Sequence, residues 1–252
     1  MSPLAALAAL LIAAQPASPT RVTSPAPQPA STEWVDSRPF THLFQNLAHD
    51  TRALVSVRSA EILGVGGATT AGVHAADRPV ADWAGRAGHA PYTRVGDIIG
   101  LGATQGGAAV ATYIVGKIAH SDEVVHIGGD LIRAQILNGL LTQGLKVAVG
   151  RTRPNRSSRS FPSGHTSAAA ATAAVLAGHF GWKAAVPLYT LTAFVGFTRV
   201  RDHVHYPSDV VFGATLGVLV GQAVTTGHKP RTWTVVPVKT SGGAAIYVVR
   251  RK

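Results

Sequence analysis

The fold is decided by residues 162–209, which read PSGHTSAAAATAAVLAGHFGWKAAVPLYTLTAFVGFTRVRDHVHYPSD. Two stretches within it, 166–178 and 182–197, have the composition and length of helices, and a short turn at 179–181 separates them. Pro207 comes just before a third apolar stretch, 208–226, and proline is common where a helix begins. The segment therefore predicts three consecutive helices with short connections.

The rest of the chain continues this helical pattern. Apolar spacing predicts helices at 40–56, 79–88 and 122–150, and residues 59–75 are small and apolar. Residues 95–118 are long enough to just span a bilayer. Asp97 and Gln105 interrupt that stretch, and its glycines suit close packing between helices. Near the C-terminus, two β-prone stretches flank a Ser-Gly-Gly turn and predict a hairpin.

Length and composition limit the classes of function that are possible. The chain has 252 residues, no cysteine and a net charge of +11. One domain without disulfides is expected, with anionic partners. Basic residues do not form long runs with interleaved aromatic residues, so no nucleic-acid binding is expected. We expect a signal peptide over 1–17, because its apolar run has the length of a secretory signal, and therefore an exported, periplasmic or membrane-associated protein. A flexible linker over 18–38, a helical domain over 39–228 and a hairpin tail over 229–252 would follow.

A first motif pairs Lys146 with Arg153. Seven residues are about two helical turns, so both side chains are expected on one side of a helix that ends before Pro154. Two cations there suit a phosphate, because arginine binds it with two hydrogen bonds. A basic helix end stabilised by its own dipole is the alternative. Arg151 and Arg156 are expected to be solvated or lipid-facing.

A second motif, 162–165, stands directly before the alanine-rich helix. Ser163 suits an N-cap, and a helix start with free backbone N–H groups also binds anions. Gly164 would let the backbone approach an anion closely. His165 would then lie near a bound phosphate and serve as a general acid for the leaving alcohol.

A third motif combines Arg199, His205 and Asp209. His205 precedes Pro207 and the next helix, and Asp209 falls in the first turn of that helix. A carboxylate there can orient the imidazole so that Nε2 attacks a phosphorus atom. A local His–Asp cap is the alternative. His203 and His205 together suggest a metal pair only weakly, because no clear third ligand accompanies them.

These three motifs, in this order, resemble the type 2 phosphatidic acid phosphatase (PAP2) superfamily, which includes bacterial acid phosphatases and vanadium haloperoxidases. The resemblance covers roughly 95–226. It implies an all-α helical bundle, here followed by the β-hairpin, with the site at one end of the core helices. By that resemblance His205 is the nucleophile, Asp209 its activating carboxylate and His165 the acid. The implied phosphate-binding residues are Lys146, Arg153, Ser163, Gly164 and Arg199. Thr198 departs from the family's usual serine before the arginine.

The resemblance implies a phosphatase that needs no cofactor or metal and forms a phosphohistidine, although vanadate could occupy the phosphate site. Positive charge and apolar helices favour a lipid phosphate as substrate and a membrane as partner. The alternatives are a soluble acid phosphatase of small esters, a vanadate-dependent haloperoxidase, or a non-catalytic anion- or lipid-binding protein. The sequence leaves the substrate and oligomeric state open.

Overall fold

The computed structural model describes residues 42–87 and 90–226, and the backbone of 233–240 and 243–250. The predicted signal peptide and linker lie outside these residues. The described part contains nine helices and two strands. In chain order these are α1 (Leu43–Ala53), α2 (Val57–His74), α3 (Asp77–Arg86), α4 (Thr93–Gly100), α5 (Gly102–Ile118), α6 (Asp122–Val149), α7 (Gly164–Phe180), α8 (Trp182–Arg201), α9 (Pro207–Thr225), β1 (Trp233–Thr240) and β2 (Gly243–Arg250).

Most predicted helices are confirmed. The stretch 95–118 is not a single helix, because α4 and α5 are bent by 53° where they meet. Leu101 lies at the break with an extended backbone (φ −60°, ψ 128°). The helix predicted to end at 56 ends at Ala53, and its apolar residue Phe44 is 83% exposed.

The core of the bundle is built around α9, which packs against α7, α2 and α6. The cluster at its centre is fully apolar and consists of small or branched side chains. Its members are Ala109, Ile127, Leu131, Ala134, Leu137, Val175, Val220 and Val224. Because the alanine-rich α7 has little side-chain bulk, its neighbours approach closely and are held by dispersion over many short contacts.

Glycines on α9 explain why the start of this helix lies beside the start of α7. A Cβ atom on Gly213 would lie 2.6 Å from the Ser163 carbonyl oxygen, and one on Gly217 would lie 2.3 Å from the Ser167 carbonyl oxygen. These glycines are four residues apart and share one helix face. The close approach brings Asp209, one turn before Gly213, next to the second motif.

The tail differs from the bundle. Strands β1 and β2 pair in antiparallel fashion, with Trp233 opposite Arg250 and Thr240 opposite Gly243. The side chains of the tail lie outside the described part of the protein.

Among the described helices, α9 alone is long and apolar enough to cross a membrane, and the bent pair α4–α5 is a second candidate if it counts as one span. Buried residues make up 56% of the apolar window of α9, as expected for a central core helix. Large apolar side chains are nevertheless exposed on outer helices, notably Ile114 and Ile118 on α5 and Trp182 and Val186 on α8. Exposed apolar surface of this kind is typical of contact with a membrane or another protein.

Candidate active site

Four chain segments converge at one end of the bundle. They are the end of α6, the loop 150–163 that leads into α7, the end of α8 and the turn 202–206 before α9. The Ser163 N–H donates to the Asp209 carbonyl oxygen at 2.9 Å, which ties the second motif to the third. The three sequence motifs therefore meet in space.

Lys146 and Arg153 approach the site differently from the prediction. The helix ends at Val149 because Gly150 adopts a left-handed backbone (φ 60°), the usual conformation just after a helix. Arg153 thus lies in the loop, where its Nε donates to the Ser158 carbonyl oxygen at 3.1 Å. The prediction that Lys146 and Arg153 share one helix, with Pro154 ending it, is wrong.

Lys146 is buried, and its ammonium group donates to the Arg159 carbonyl oxygen at 2.9 Å. Burial first, and then the positive charge of Arg153, lower the pKa of Lys146 to about 8, while Asp209 opposes the shift. Burial and the charge of Arg199 also lower the pKa of Arg153, against the pull of Asp209. Cations held close enough to repel one another favour binding of an anion between them.

Ser163 is fully buried at the N-cap position of α7, but its hydroxyl makes no hydrogen bond to a helix N–H. The hydroxyl instead lies 3.0 Å from the Thr166 hydroxyl. The expected side-chain cap is therefore absent, and the backbone N–H groups at the start of α7 keep their anion-binding character. A Cβ on Gly164 would meet Lys146 and Thr142 only at ordinary contact distance, 3.7 Å. No neighbour in the described part of the chain requires glycine at this position, which leaves close approach of an anion as the expected reason for it.

His205 and Asp209 form the predicted pair. His205 Nδ1 lies 3.5 Å from Asp209 Oδ2, and both side chains are almost completely buried. Burial lowers the pKa of His205 to about 4, with the charges of Lys146 and Arg153 acting in the same direction and Asp209 opposing them. At neutral pH the imidazole is therefore uncharged. With Nδ1 turned to Asp209, Nε2 is the nitrogen available as a nucleophile.

Asp209 is held by a network that the sequence did not reveal. Its Oδ1 accepts from Arg151 Nη1 at 2.7 Å, and its Oδ2 accepts from the Tyr206 N–H at 2.9 Å and from the Ser160 hydroxyl. Burial alone would raise the pKa of Asp209. The interactions with His205, Ser160, Tyr206 and Arg151 outweigh burial and hold that pKa below its ordinary value.

Arg151 corrects a second prediction, because it is not a solvated or lipid-facing neighbour. Its Nη2 donates to Asp77 Oδ2 at 2.7 Å while Nη1 donates to Asp209, and the guanidinium carbon lies 4.1 Å from the centroid of the Tyr206 ring. Burial opposes the charged form, but the hydrogen bonds and charges of the two carboxylates raise the pKa of Arg151. Arg151 thus connects α3 to the start of α9.

Asp97 is a second residue that sequence reasoning missed. Arg199 Nη1 donates to Asp97 Oδ1, and the same oxygen lies 3.0 Å from His165 Nε2. Gly96 lets α4 approach α8 at this place, since a Cβ there would lie 2.1 Å from the Thr198 hydroxyl. The Asp97 side chain is 50% exposed. A carboxylate thus lies at the edge of the anion site and contacts both a cation and the predicted acid.

One hydrogen-bond donor at this site has no acceptor in the described part of the protein. Arg199 Nε is buried and no group in the described part of the chain accepts its proton. The pKa of His165 is lowered by burial and by the charges of Arg199 and Arg153, while Asp97 raises it. The cations that act on the two histidines come from the first and third motifs: Arg153 acts on both, Arg199 on His165 and Lys146 on His205. His165 and His205, Lys146, Arg153 and Arg199 belong to one electrostatic site.

His203 does not join His205 as a metal pair. Its backbone is left-handed (φ 58°), and its ring lies against α3, where a Cβ on Gly85 would be 3.3 Å from the ring. Among the described residues, the group with metal-ligand geometry is a different one and contains neither histidine.

The His205 pKa predicts how stability depends on pH. The folded-state pKa of about 4 lies below the ordinary pKa of about 6.5, so the unfolded chain binds more protons between these values. The contribution of neutral His205 to the free energy of unfolding is therefore complete above pH 6.5 and is lost as pH falls towards 4. Its size is about 3 kcal/mol in the free energy of unfolding. Urea unfolding between pH 4 and 7 measures it, and the difference between wild type and His205→Gln should shrink steadily as pH falls.

Asp97→Asn is expected to move the alkaline limb of the pH profile of kcat/KM to lower pH. Asp97 raises the pKa of His165, so without the charge His165 loses its proton earlier. Asp202→Asn is a matched control, because Asp202 Oδ2 also accepts from Arg199, at 2.8 Å, but is not among the charges that act on His165. If both variants shift the limb equally, or neither does, Asp97 does not set the acid's pKa.

The fold and site together define a helical bundle that carries a two-histidine anion site at one end. Residues 128–233 match the model of the PAP2 superfamily. This match covers 106 of the 252 residues and includes all three motifs. This confirms the resemblance seen in the motifs.

Relatives and solved structures agree with this placement. The chain is 35% identical to a lipid A 1-phosphatase of Porphyromonas gingivalis, over 37% of this chain and 22% of that protein. It is 34% identical to a lipid A 1-phosphatase of Rhizobium etli, over 36% of this chain and 46% of that protein. The chain thus matches less than half the length of these relatives.

Two crystal structures share the fold. LpxE of Aquifex aeolicus matches with a TM-score of 0.50 and 24% identity, over 59% of this chain and 93% of the other. A transmembrane PAP2-type phosphatidylglycerolphosphate phosphatase of Bacillus subtilis matches with a TM-score of 0.50 and 21% identity, over 73% of this chain and 92% of the other. At these identities the likeness concerns the helical architecture.

Proposed function

We propose that this protein is a metal-independent phosphatase that hydrolyses a phosphomonoester or diphosphate of a lipid through a phosphohistidine. The observation that carries the proposal is the neutral, buried His205 beside Asp209, in the same electrostatic site as three cations and a second histidine. This set holds a nucleophile, its orienting carboxylate, an acid and charge stabilisation for phosphoryl transfer.

In the proposed reaction His205 Nε2 attacks the phosphorus atom. The P–O bond to the leaving group breaks, and His165 donates its proton to the leaving oxygen. Lys146, Arg153 and Arg199 hold the oxygens of the transferred group, where negative charge is concentrated. His165, now neutral, takes a proton from water as the water attacks the phosphohistidine. The bond between phosphorus and His205 Nε2 breaks, inorganic phosphate leaves, and both histidines return to their starting states.

The pKa values predict an acidic optimum for kcat/KM. His205 must be neutral to attack, so activity falls below about pH 4. His165 must be protonated to donate, and its pKa in the free protein is below the ordinary value of about 6.5. The two requirements overlap between these limits. A bell-shaped profile centred there supports the assignment, whereas activity that keeps rising above pH 8 contradicts it.

Several observations favour a lipid over a small ester. Named relatives of this chain are lipid A phosphatases, and one structural neighbour is a phosphatidylglycerolphosphate phosphatase. An apolar groove of about 680 Å³ runs between α2, α8 and α9. Its lining includes Ile62, Val65, Tyr189 and Thr166, the last of which directly follows His165. An acyl chain could lie in this groove, and the exposed apolar helices would favour association with a membrane.

The test is release of inorganic phosphate by the purified protein with EDTA present. The panel contains phosphatidic acid, a polyprenyl diphosphate, lipid A and a small soluble ester such as p-nitrophenyl phosphate. Turnover of a lipid in the presence of the chelator supports the proposal. A preference for the soluble ester would replace the lipid with a small substrate. Bromide oxidation that appears only after vanadate is added would favour a haloperoxidase, and binding without turnover a binding protein.

A further inference from the structure

A second cluster of functional side chains lies at the other end of the bundle. His126 and Asp130 are four residues apart on α6 and therefore on one helix face, and His179 comes from the last turn of α7. Asp130 and Lys146 are sixteen residues apart on the same helix, or about 24 Å along its axis. The cluster is thus separate from the phosphate site.

The ligand atoms of these three residues converge. His179 Nε2 lies 2.9 Å and His126 Nε2 lies 3.8 Å from the same oxygen, Asp130 Oδ2. One ligand atom from each residue lies within 4.8 Å of the other two. Ligands around a tetrahedral zinc ion, at about 2.0 to 2.2 Å from the metal, are about 3.3 Å from one another. Small side-chain movements would therefore place all three atoms around one ion.

The carboxylate is already oriented for this role. Arg133 Nη2 donates to Asp130 Oδ1 at 2.5 Å, and Arg133 Nε donates to Asp50 Oδ2 at 2.8 Å. Asp130 therefore presents Oδ2 to the two imidazoles while its other oxygen is held by a buried guanidinium. Metal-binding carboxylates are commonly fixed by such an outer hydrogen bond, which orients the ligand and raises affinity.

We propose that His126, Asp130 and His179 bind a divalent transition-metal ion, with zinc as the best fit. Two imidazoles and one carboxylate suit zinc better than magnesium or calcium, which prefer oxygen ligands. The carboxylate is buried, and the His126 and His179 side chains are 19% and 12% exposed. An ion can enter from the histidine side, where a water or another group would complete its coordination.

Such an ion would join α6 to the C-terminal end of α7. It would act on the stability of the bundle and leave the chemistry at the opposite end to His205 and His165. The proposal therefore does not depend on the phosphatase assignment. A metal-independent reaction and a distal metal site are compatible, since chelation would lower the melting temperature without stopping turnover at low temperature.

The experiment is equilibrium dialysis of chelator-treated full-length protein against zinc, with bound metal measured by elemental analysis. One zinc per chain is expected. His126→Gln and His179→Gln should each weaken zinc binding by roughly 100-fold, because each removes one of three ligands. His120→Asn is the matched control: His120 is exposed, lies outside the cluster and has a left-handed backbone that asparagine tolerates.

Cobalt gives a second readout that a change in folding would not imitate. Cobalt in a tetrahedral site with nitrogen and oxygen ligands absorbs visible light more strongly than hydrated cobalt, and zinc should abolish that absorption. His205→Ala should bind zinc like the wild type, which separates failure of this proposal from failure of the phosphatase assignment. If the wild type binds no zinc, or if both glutamine variants bind as tightly as His120→Asn, the cluster is a hydrogen-bonded His–Asp group and the proposal is wrong.

Discussion

Replacing His205 with alanine is expected to lower kcat/KM for phosphate release by roughly 10⁴-fold or more, because the variant has no nucleophile. The imidazole is neutral at working pH and lies beside Asp209. The other imidazole of the site, His165, is assigned to protonate the leaving group and lies against Asp97. His205→Gln should show the same loss while filling more of the buried space. Anion binding should survive in both variants, since Lys146, Arg153 and Arg199 remain.

The control for this prediction is His203→Asn. His203 is two residues away, and its left-handed backbone is one that asparagine tolerates. This variant should keep phosphate release within a few-fold of the wild type. Acid-labile, alkali-stable labelling of wild-type protein by a ³²P-substrate would identify the phosphoramidate bond, and His205→Ala should not be labelled. Turnover by His205→Ala at the wild-type rate would overturn the proposed mechanism.

The local part of the site could be predicted from sequence, because short-range geometry determines it. Asp209 falls in the first turn of α9, four residues after His205, and the structure places the two side chains together. Ser163 and Gly164 lie at the start of a helix that the alanine run predicts. Each inference needs only the local backbone and the periodicity of one helix.

Residues that act across long sequence distances could not be placed in the same way. Asp97 is 102 residues from Arg199 along the chain, and it reaches that arginine only because α4 breaks from α5 and packs on α8. A usable signal was present, since a carboxylate inside an apolar, glycine-rich stretch needs a charged partner. The sequence could not name the partner, because several cations were equally possible.

The end of α6 shows a different limit. Proline at position 154 was a reasonable stop signal, but Gly150 ends the helix earlier through its left-handed backbone. Those few residues move Arg153 from a helix face into a loop that folds back over the site, where the Arg153 N–H donates to the Ser157 carbonyl oxygen at 2.8 Å. The identity of the cation was predictable from the motif. The way in which Arg153 reaches the site depends on the conformation of the loop after α6.

Arg151→Met is expected to cause the largest loss of stability among these variants, about 3 kcal/mol in the free energy of unfolding. Asp77 and Asp209 are almost completely buried, and the guanidinium donates to both. Methionine keeps much of the side-chain length but leaves both carboxylates without that charge. Phosphate release should fall as well, because Asp209 would no longer be held in place to orient His205.

Arg156→Asn is the matched control, because it removes an exposed positive charge from the same loop at a left-handed position that asparagine accepts. Its unfolding free energy should change by less than about 0.5 kcal/mol. Adding Asp77→Asn to Arg151→Met should restore part of the lost stability, since one buried charge then needs no partner. If Arg151→Met unfolds like the wild type, the bridge between α3 and α9 is not needed for folding. Asp209 would then be held by Ser160, the Tyr206 N–H and His205.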